Sequence, residues 1–237
     1  MQDWMYDELT HVGIDYSKPE SAAAYDNLIS EMRDYKEDCD AFIRKLNLTN
    51  INELTAIEIG CGTGLFTVQA SKYLKKILAV DVSEAMLKIA KEKVKRNELT
   101  NIEFFKSGFL QFKPDEKVDI VYSELALHHL PDYWKQAALL NINKMLKPHA
   151  IFFLSDVVFK YDPHFEKNTG QMIKEISNQF SKELVEEVKI HIKEEYSTFD
   201  WIMQGLIEKA GFQIEYQNTQ NIFKSEYLCR KVKEFDE

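Results

Sequence analysis

The chain has 237 residues, with 30 basic against 39 acidic side chains and a formal charge of -9; this length builds one sizeable core, and the acidic balance argues against a nucleic-acid backbone as the main partner. Cys39, Cys61 and Cys229 are odd in number, far apart and form no C-x-x-C pair, which argues against a disulfide framework and a cysteine-based zinc site. Met1-Gln2-Asp3-Trp4 lacks a basic segment ahead of an apolar one, and no apolar run nears the ~20 residues of a membrane span, so a cytoplasmic protein without membrane contact is expected.

Residues 1–50 read as a mostly helical preface. Leu28, Met32, Tyr35, Cys39, Phe42 and Leu46 recur at helical spacing and predict one helix with an apolar face. The earlier part is rich in aromatic residues (Trp4, Tyr6, Tyr16, Tyr25), is punctuated by Gly13 and Pro19, and reads as a lid. From about 54 to 158 strand and helix patterns alternate. Leu54 to Ile59 is a buried strand, Leu65 to Lys76 a helix, Ile77 to Asp81 a strand, and Ser83 caps a helix carrying Met86, Leu87, Ala90 and Val94. Strands follow at Ile102 to Lys106 and Val118 to Ser123, Pro131 opens a helix reaching Leu146, and Ala150 to Val158 is again a strand. Such alternation predicts parallel strands with right-handed crossovers in an open doubly wound α/β sheet, whose ligand sits at the carboxyl ends of the strands. Residues 160–197 are polar and helix-prone and read as an inserted helical cap. Ser197 or Thr198 is expected to cap the next helix, which stops at Gly211. Phe212 to Tyr216 and Phe223 to Cys229 then form an antiparallel pair around a turn with Asn218 and Asn221. The expected organisation is a lid over 1–50 and a core over 51–237.

The most informative stretch is Glu58-Ile59-Gly60-Cys61-Gly62-Thr63-Gly64, a turn from strand to helix, followed one helix later by Asp81 at the end of the next strand. Glycines there let a backbone approach a ligand closely, and a carboxylate at Asp81 can accept from both hydroxyls of a ribose while repelling a ribose phosphate. Dinucleotide sites use G-x-G-x-x-G with a pyrophosphate on the helix N-terminus. Here the spacing is G-x-G-x-G with an acid two residues ahead, which disfavours phosphate and suits a cationic amine.

In these features the chain resembles the class I S-adenosylmethionine-dependent methyltransferases, over about residues 50 to 230. Asp119-Ile120-Val121-Tyr122-Ser123 resembles the family's fourth strand, and Leu146-Lys147-Pro148 its turn before strand five. The resemblance implies a mostly parallel seven-stranded Rossmann-like sheet with a last antiparallel strand, and S-adenosyl-L-methionine as cofactor. It also implies that Glu58 faces the methionine amino group through water, that Gly60, Cys61, Gly62, Thr63 and Gly64 form the loop, that Val82 and Met86 flank adenine, and that Ser123, Glu124 and Leu125 lie under the methionine. Tyr25 resembles a tyrosine that closes over the donor. Two departures stand out. The family commonly has Gly-Asp after strand three, where this chain has Ser107-Gly108 followed by Phe109, so Ser107 or a backbone carbonyl is expected to take the adenine amino group and Phe109 to stack on the ring. Pro148-His149-Ala150 replaces Pro-Gly-Gly in a turn remote from chemistry.

For the acceptor side, His128 is the candidate that orients or deprotonates substrate, with His129, Asp156, His191 and the lid residues Tyr6 and Tyr16 as further contacts. None of the histidines shows H-x3-H or H-E-x-x-H spacing, so no metal is expected. Glu194-Glu195 reads as a solvated face. The expected activity is methyl transfer to a small-molecule acceptor by in-line displacement, in a monomer or homodimer. A nicotinamide-dependent oxidoreductase and a binding module of methyltransferase shape that has lost activity are the alternatives; the first needs the longer glycine spacing, and the second rests on the missing acid at Gly108.

Overall fold

The computed structural model describes residues 3–10, 12–220 and 223–235. The chain begins with an extended aromatic segment and then two helices, α1 (Pro19–Ile29) and α2 (Tyr35–Leu46). Proline at the first position pre-sets the backbone of α1. The single helix expected over 28–46 is in fact broken, because the Asp34 side chain accepts from the N–H groups of Lys36 and Glu37 and starts a new helix there. Next come β1 (Thr55–Ile59), α3 (Leu65–Ala70), β2 (Lys76–Asp81), α4 (Glu84–Arg96), β3 (Ile102–Lys106) and β4 (Val118–Glu124). The helix after the glycine turn is shorter than expected, closing at Ser71 so that Lys76 already belongs to β2.

Then follow α5 (Asp132–Met145), β5 (Leu146–Phe159), α6 (Phe165–Ser177), α7 (Lys182–Lys193), β6 (Thr198–Phe199), α8 (Asp200–Lys209), β7 (Phe212–Gln220) and β8 (Lys224–Lys231). Leu146 to Pro148 is part of β5 rather than a separate turn, and the register shifts between the pairs Val118–Leu146 and Ile120–Ile151. Neither Ser197 nor Thr198 caps α8. Thr198 joins the two-residue β6, which pairs in parallel with the end of β5, and its hydroxyl reaches Asp132. Asn218 lies inside β7, and Asn221 is outside the described residues.

The sheet runs β3-β2-β1-β4-β5-β8-β7, with β6 beside β5. Only β8 runs against its neighbours. This is the doubly wound α/β sheet of the sequence reading, its seven-strand path extended by one short strand. The two-residue period of a strand sends Ile57 and Ile59 to one face, where α5 and α8 bury Leu139, Ile142, Met203 and Ile207, and sends Ala56 and Glu58 to the other, under α2 and α3. There Phe42 of α2 meets Phe66, Tyr122 and Phe153, with ring centroids 5.0 to 5.6 Å apart. Helix α2 is thereby built into the core, whereas α1 packs on α4 and α7 at the carboxyl edge of the sheet. No helix among the described residues is long and apolar enough to cross a membrane.

Phe42→Ala empties the centre of that aromatic cluster and is expected to cost roughly 3–5 kcal/mol in denaturant unfolding. A loss below about 1 kcal/mol would show that α2 is not part of the core.

Candidate active site

The carboxyl ends of β1, β2 and β4 open into one chamber, roofed by the N-terminal segment, α1 and α7. Gly60 and Cys61 both donate to the carbonyl of Val80, folding the turn back over β2. Gly60 has φ +83°, and a Cβ there would stand 2.2 Å from that of Ala126, so only glycine fits. Asp81 accepts from the Gly62 N–H at 2.7 Å and the Ser83 N–H at 2.8 Å, and its carboxylate lines the chamber. Burial raises its pKa, against these backbone hydrogen bonds.

Of the expected donor residues, Tyr25, Gly60, Gly62, Asp81, Val82, Met86, Ser107, Gly108, Phe109, Glu124 and Leu125 line this chamber. Glu58, Cys61, Thr63, Gly64 and Ser123 stand behind its surface. The Ser123 hydroxyl donates to the carbonyl of Ile59, and Thr63 Oγ1 donates to Asp26 of α1 at 2.5 Å. Lys93 bridges Asp26 and the Thr63 carbonyl, so α1 is latched to the glycine turn. Glu124 is ion-paired with Arg33, which also holds Asp38. Leu125 adopts φ +49°, a strained conformation at the chamber wall fixed by its N–H to the carbonyl of Ser155.

Glu58 differs from expectation. It is fully enclosed beneath the turn, where Thr67 Oγ1 and the Tyr122 hydroxyl both donate to its Oε2. Burial pushes its pKa up to about 8, against the lowering effect of those two hydrogen bonds.

On the acceptor side Tyr16, His129 and His191 line the chamber, while Tyr6, His128 and Asp156 do not. Tyr6 lies against Trp134. The Tyr16 hydroxyl donates to Glu187 of α7 at 2.5 Å. His128 is 1% exposed, with Nδ1 2.5 Å from Asp156 and Nε2 3.1 Å from Glu195. Burial opposes its charge, but the two carboxylates push its pKa up to about 9, and the same contacts hold Asp156 and Glu195 below the usual carboxylate range despite their burial. The His128 ring does not line the chamber, so the structure places it behind the acceptor side rather than facing it. His129 is the neighbour that does face it, and burial followed by the charge of His128 pushes its pKa down to about 3, leaving a neutral ring. Glu195 is likewise no solvated face: its side chain is enclosed between His128 and His191.

Sequence reasoning missed Glu8, Asp26, Arg33 and Glu187. Glu8 is the most consequential. It accepts from the N–H groups of Leu110 and Gln111, and its Oε2 lies 2.3 Å from where a Cβ on Gly108 would stand. The carboxylate expected at 108 is absent from the chain there, and one from the N-terminal segment fills the space.

Residues 56–149 match the family model described as a methyltransferase domain. Over 94% of its length the chain is 28% identical to the Bacillus subtilis (strain 168) protein named "Uncharacterized methyltransferase YrrT", covering 92% of it. Its structure aligns with that of an S-adenosylmethionine-dependent methyltransferase from Clostridium acetobutylicum at a TM-score of 0.68 and 16% identity, covering 90% of this chain and 98% of that one. The chain thus has the fold of S-adenosylmethionine-dependent methyltransferases, and its residues 56–149 are similar to a methyltransferase domain. The chain is also similar in fold to magnesium protoporphyrin IX methyltransferase from Synechocystis PCC 6803, a structure with bound SAH, at a TM-score of 0.63 and 16% identity over 84% of each chain.

The Glu58 pKa gives the protein a pH signature. An unfolded glutamate ionises near about 4.3, whereas the folded one holds its proton up to about 8. Between those values the folded state carries the extra proton, so this contribution to stability is full below the lower value and is lost as pH rises through the upper. Glu58→Gln, which cannot ionise, is expected to flatten the decline in denaturation midpoint from about pH 5 to about pH 8. An unchanged slope would locate the linkage elsewhere.

Proposed function

We propose that the chamber binds S-adenosyl-L-methionine and that the enzyme moves its methyl group to a small-molecule acceptor held between the N-terminal lid and α7. The observation that carries this reading is Asp81, a carboxylate aimed into an enclosed chamber directly beside a glycine turn that a side chain would obstruct. The ribose hydroxyls belong on Asp81. The adenine belongs beside Phe109, Val82 and Met86, with Glu8 as acceptor for its amino group, and the methionine belongs along Gly60, Glu124 and Leu125.

Glu8 weakens the reading of an inactive module. That alternative rested on the acid missing at Gly108, and Glu8 occupies the volume in question. The buried Glu58 suits a cationic donor for a related reason: desolvation keeps it neutral, and a positive ammonium above the turn favours its ionised form, so cation binding and proton release are coupled.

A sulfonium is already activated, so in-line displacement asks mainly for alignment. Holding nucleophile and methyl at ~3–3.5 Å can supply ~7–11 kcal/mol of the barrier through orientation and avoided solvent reorganisation. The residues facing the acceptor space are Tyr16 with its partner Glu187, His191, and the neutral imidazole of His129. His129 presents a neutral ring to this space, but burial and its charged neighbour disfavour its taking a proton, so its role there is to orient the acceptor by hydrogen bonding. His128 acts through others: it is paired with Asp156 and fixes the loop, its carbonyl accepting from the Tyr196 N–H.

S-adenosylhomocysteine at about 100 times its dissociation constant is expected to add about 2.7 kcal/mol of stability, with no effect of NAD. The reverse pattern would favour the oxidoreductase. Asp81→Ala is expected to abolish this stabilisation with the far-ultraviolet circular dichroism retained, and Glu8→Gln to weaken calorimetric affinity roughly tenfold, as for a lost hydrogen bond to a charged group. Unchanged affinity in Glu8→Gln would remove its assigned role.

A further inference from the structure

We propose that His128, His191 and Glu195 form a binding site for one divalent transition-metal ion of the Zn2+ class at the edge of the chamber. The three side chains come from the loop after β4, the end of α7 and the turn before β6. One ligand atom from each lies within 4.8 Å of the other two.

The arrangement around His128 selects the tautomer that a metal requires. Its Nδ1 is 2.5 Å from Asp156 Oδ1, and Asp156 Oδ2 accepts from the His128 backbone N–H at 3.1 Å. Asp156, pinned on both oxygens, therefore orients the ring and draws the proton to Nδ1, the carboxylate–histidine arrangement that supports metal-ligating imidazoles. Nε2 then points at Glu195. It lies 3.1 Å from Glu195 Oε2, yet it is buried and has no aligned hydrogen-bond partner among the described residues, and neither has Glu195 Oε1. Buried polar atoms of native proteins rarely go unpaired. His191 Nδ1 contacts the same carboxylate from the other side, and the two rings stand perpendicular with centroids 5.1 Å apart. A cation between the rings, displacing the proton on His128 Nε2, would serve Nε2, Nδ1 and the carboxylate together.

Two imidazoles and one carboxylate form the donor set of open zinc sites and of facial transition-metal triads, whereas Mg2+ and Ca2+ seek oxygen ligands. Asp156 and Glu195 together balance a double positive charge. His191 and the neighbouring His129 line the chamber, so the remaining coordination positions open toward the acceptor space. An acceptor hydroxyl or thiol bound there would lose its proton more readily. This last consequence rests on the methyl-transfer reading; ion binding does not.

The test is calorimetric titration of the full chain, first dialysed against a chelator, with Zn2+ alone and no methyl donor, followed by Co2+ as a spectroscopic substitute. One Zn2+ per chain and a ligand-field spectrum of low-coordinate Co2+ are expected. Glu195→Gln and His191→Ala, neither of which strips Asp156 of its partner, should each weaken binding tenfold or more; Asp156→Asn should weaken it by about 10- to 100-fold through the orientation of His128. His149→Ala and His164→Ala, at exposed positions away from the cluster, should leave it unchanged. Absence of binding, or binding that survives both Glu195→Gln and His191→Ala, would overturn the proposal. Because no donor is present, that outcome is separate from a failure to bind S-adenosylhomocysteine.

Discussion

Asp81 ties together the start of two loops with one side chain. By accepting from Gly62 on one side and Ser83 on the other, it fixes the turn after β1 against the end of β2. The part of the chamber wall made by Gly60, Gly62, Val82 and Ser83 takes its position from that junction. The Ser83 hydroxyl caps α4 through the Met86 N–H and donates to the Tyr16 carbonyl, so the same short segment starts a helix and anchors the roof. Desolvation works against a charged Asp81, and the backbone donors offset it only in part, so its pKa stays raised. The result is a carboxylate held rigid and aimed at open space, as recognition of a polar ligand requires.

The roof is bound to the floor by directional polar contacts as well as by apolar packing, with Tyr6 against the core and Ala22, Leu184 and Val188 buried. Asp26 meets Thr63 and Lys93, Arg33 meets Glu124, and Glu8 sits on the backbone of the loop after β3. Such polar contacts are partly buried and specific in direction, whereas the Phe42 cluster holds α2 by apolar packing. The division suits a fold that must admit a ligand at one end while remaining intact at the other.

Much of this was legible in the sequence because the relevant signals are local. The glycine turn, the buried runs of β1, β2 and β4, and the cap at Ser83 each declare themselves within a few residues, and their alternation dictates a parallel sheet. Asp34 was present too, but its capping role was hidden beneath an apolar period that runs on through Met32 and Tyr35. What was not legible is what the fold brings from afar. Glu8 reaches Gly108 across a hundred residues of sequence. Glu195 is acidic in an acidic stretch, and nothing nearby announces that it will be enclosed by two imidazoles. His128 and His129 are adjacent in sequence with opposite fates, because one side chain turns inward to Asp156 and the other toward the chamber.

The central claim is that one enclosed chamber holds a nucleoside donor between Asp81 and a carboxylate contributed by the N-terminal segment. A crystal structure of the protein with S-adenosylhomocysteine tests it most directly. The account predicts both ribose hydroxyls on the Asp81 carboxylate and the adenine amino group on Glu8, with the ring against Phe109. A nucleoside bound outside the chamber, or one whose ribose makes no contact with Asp81, would contradict it.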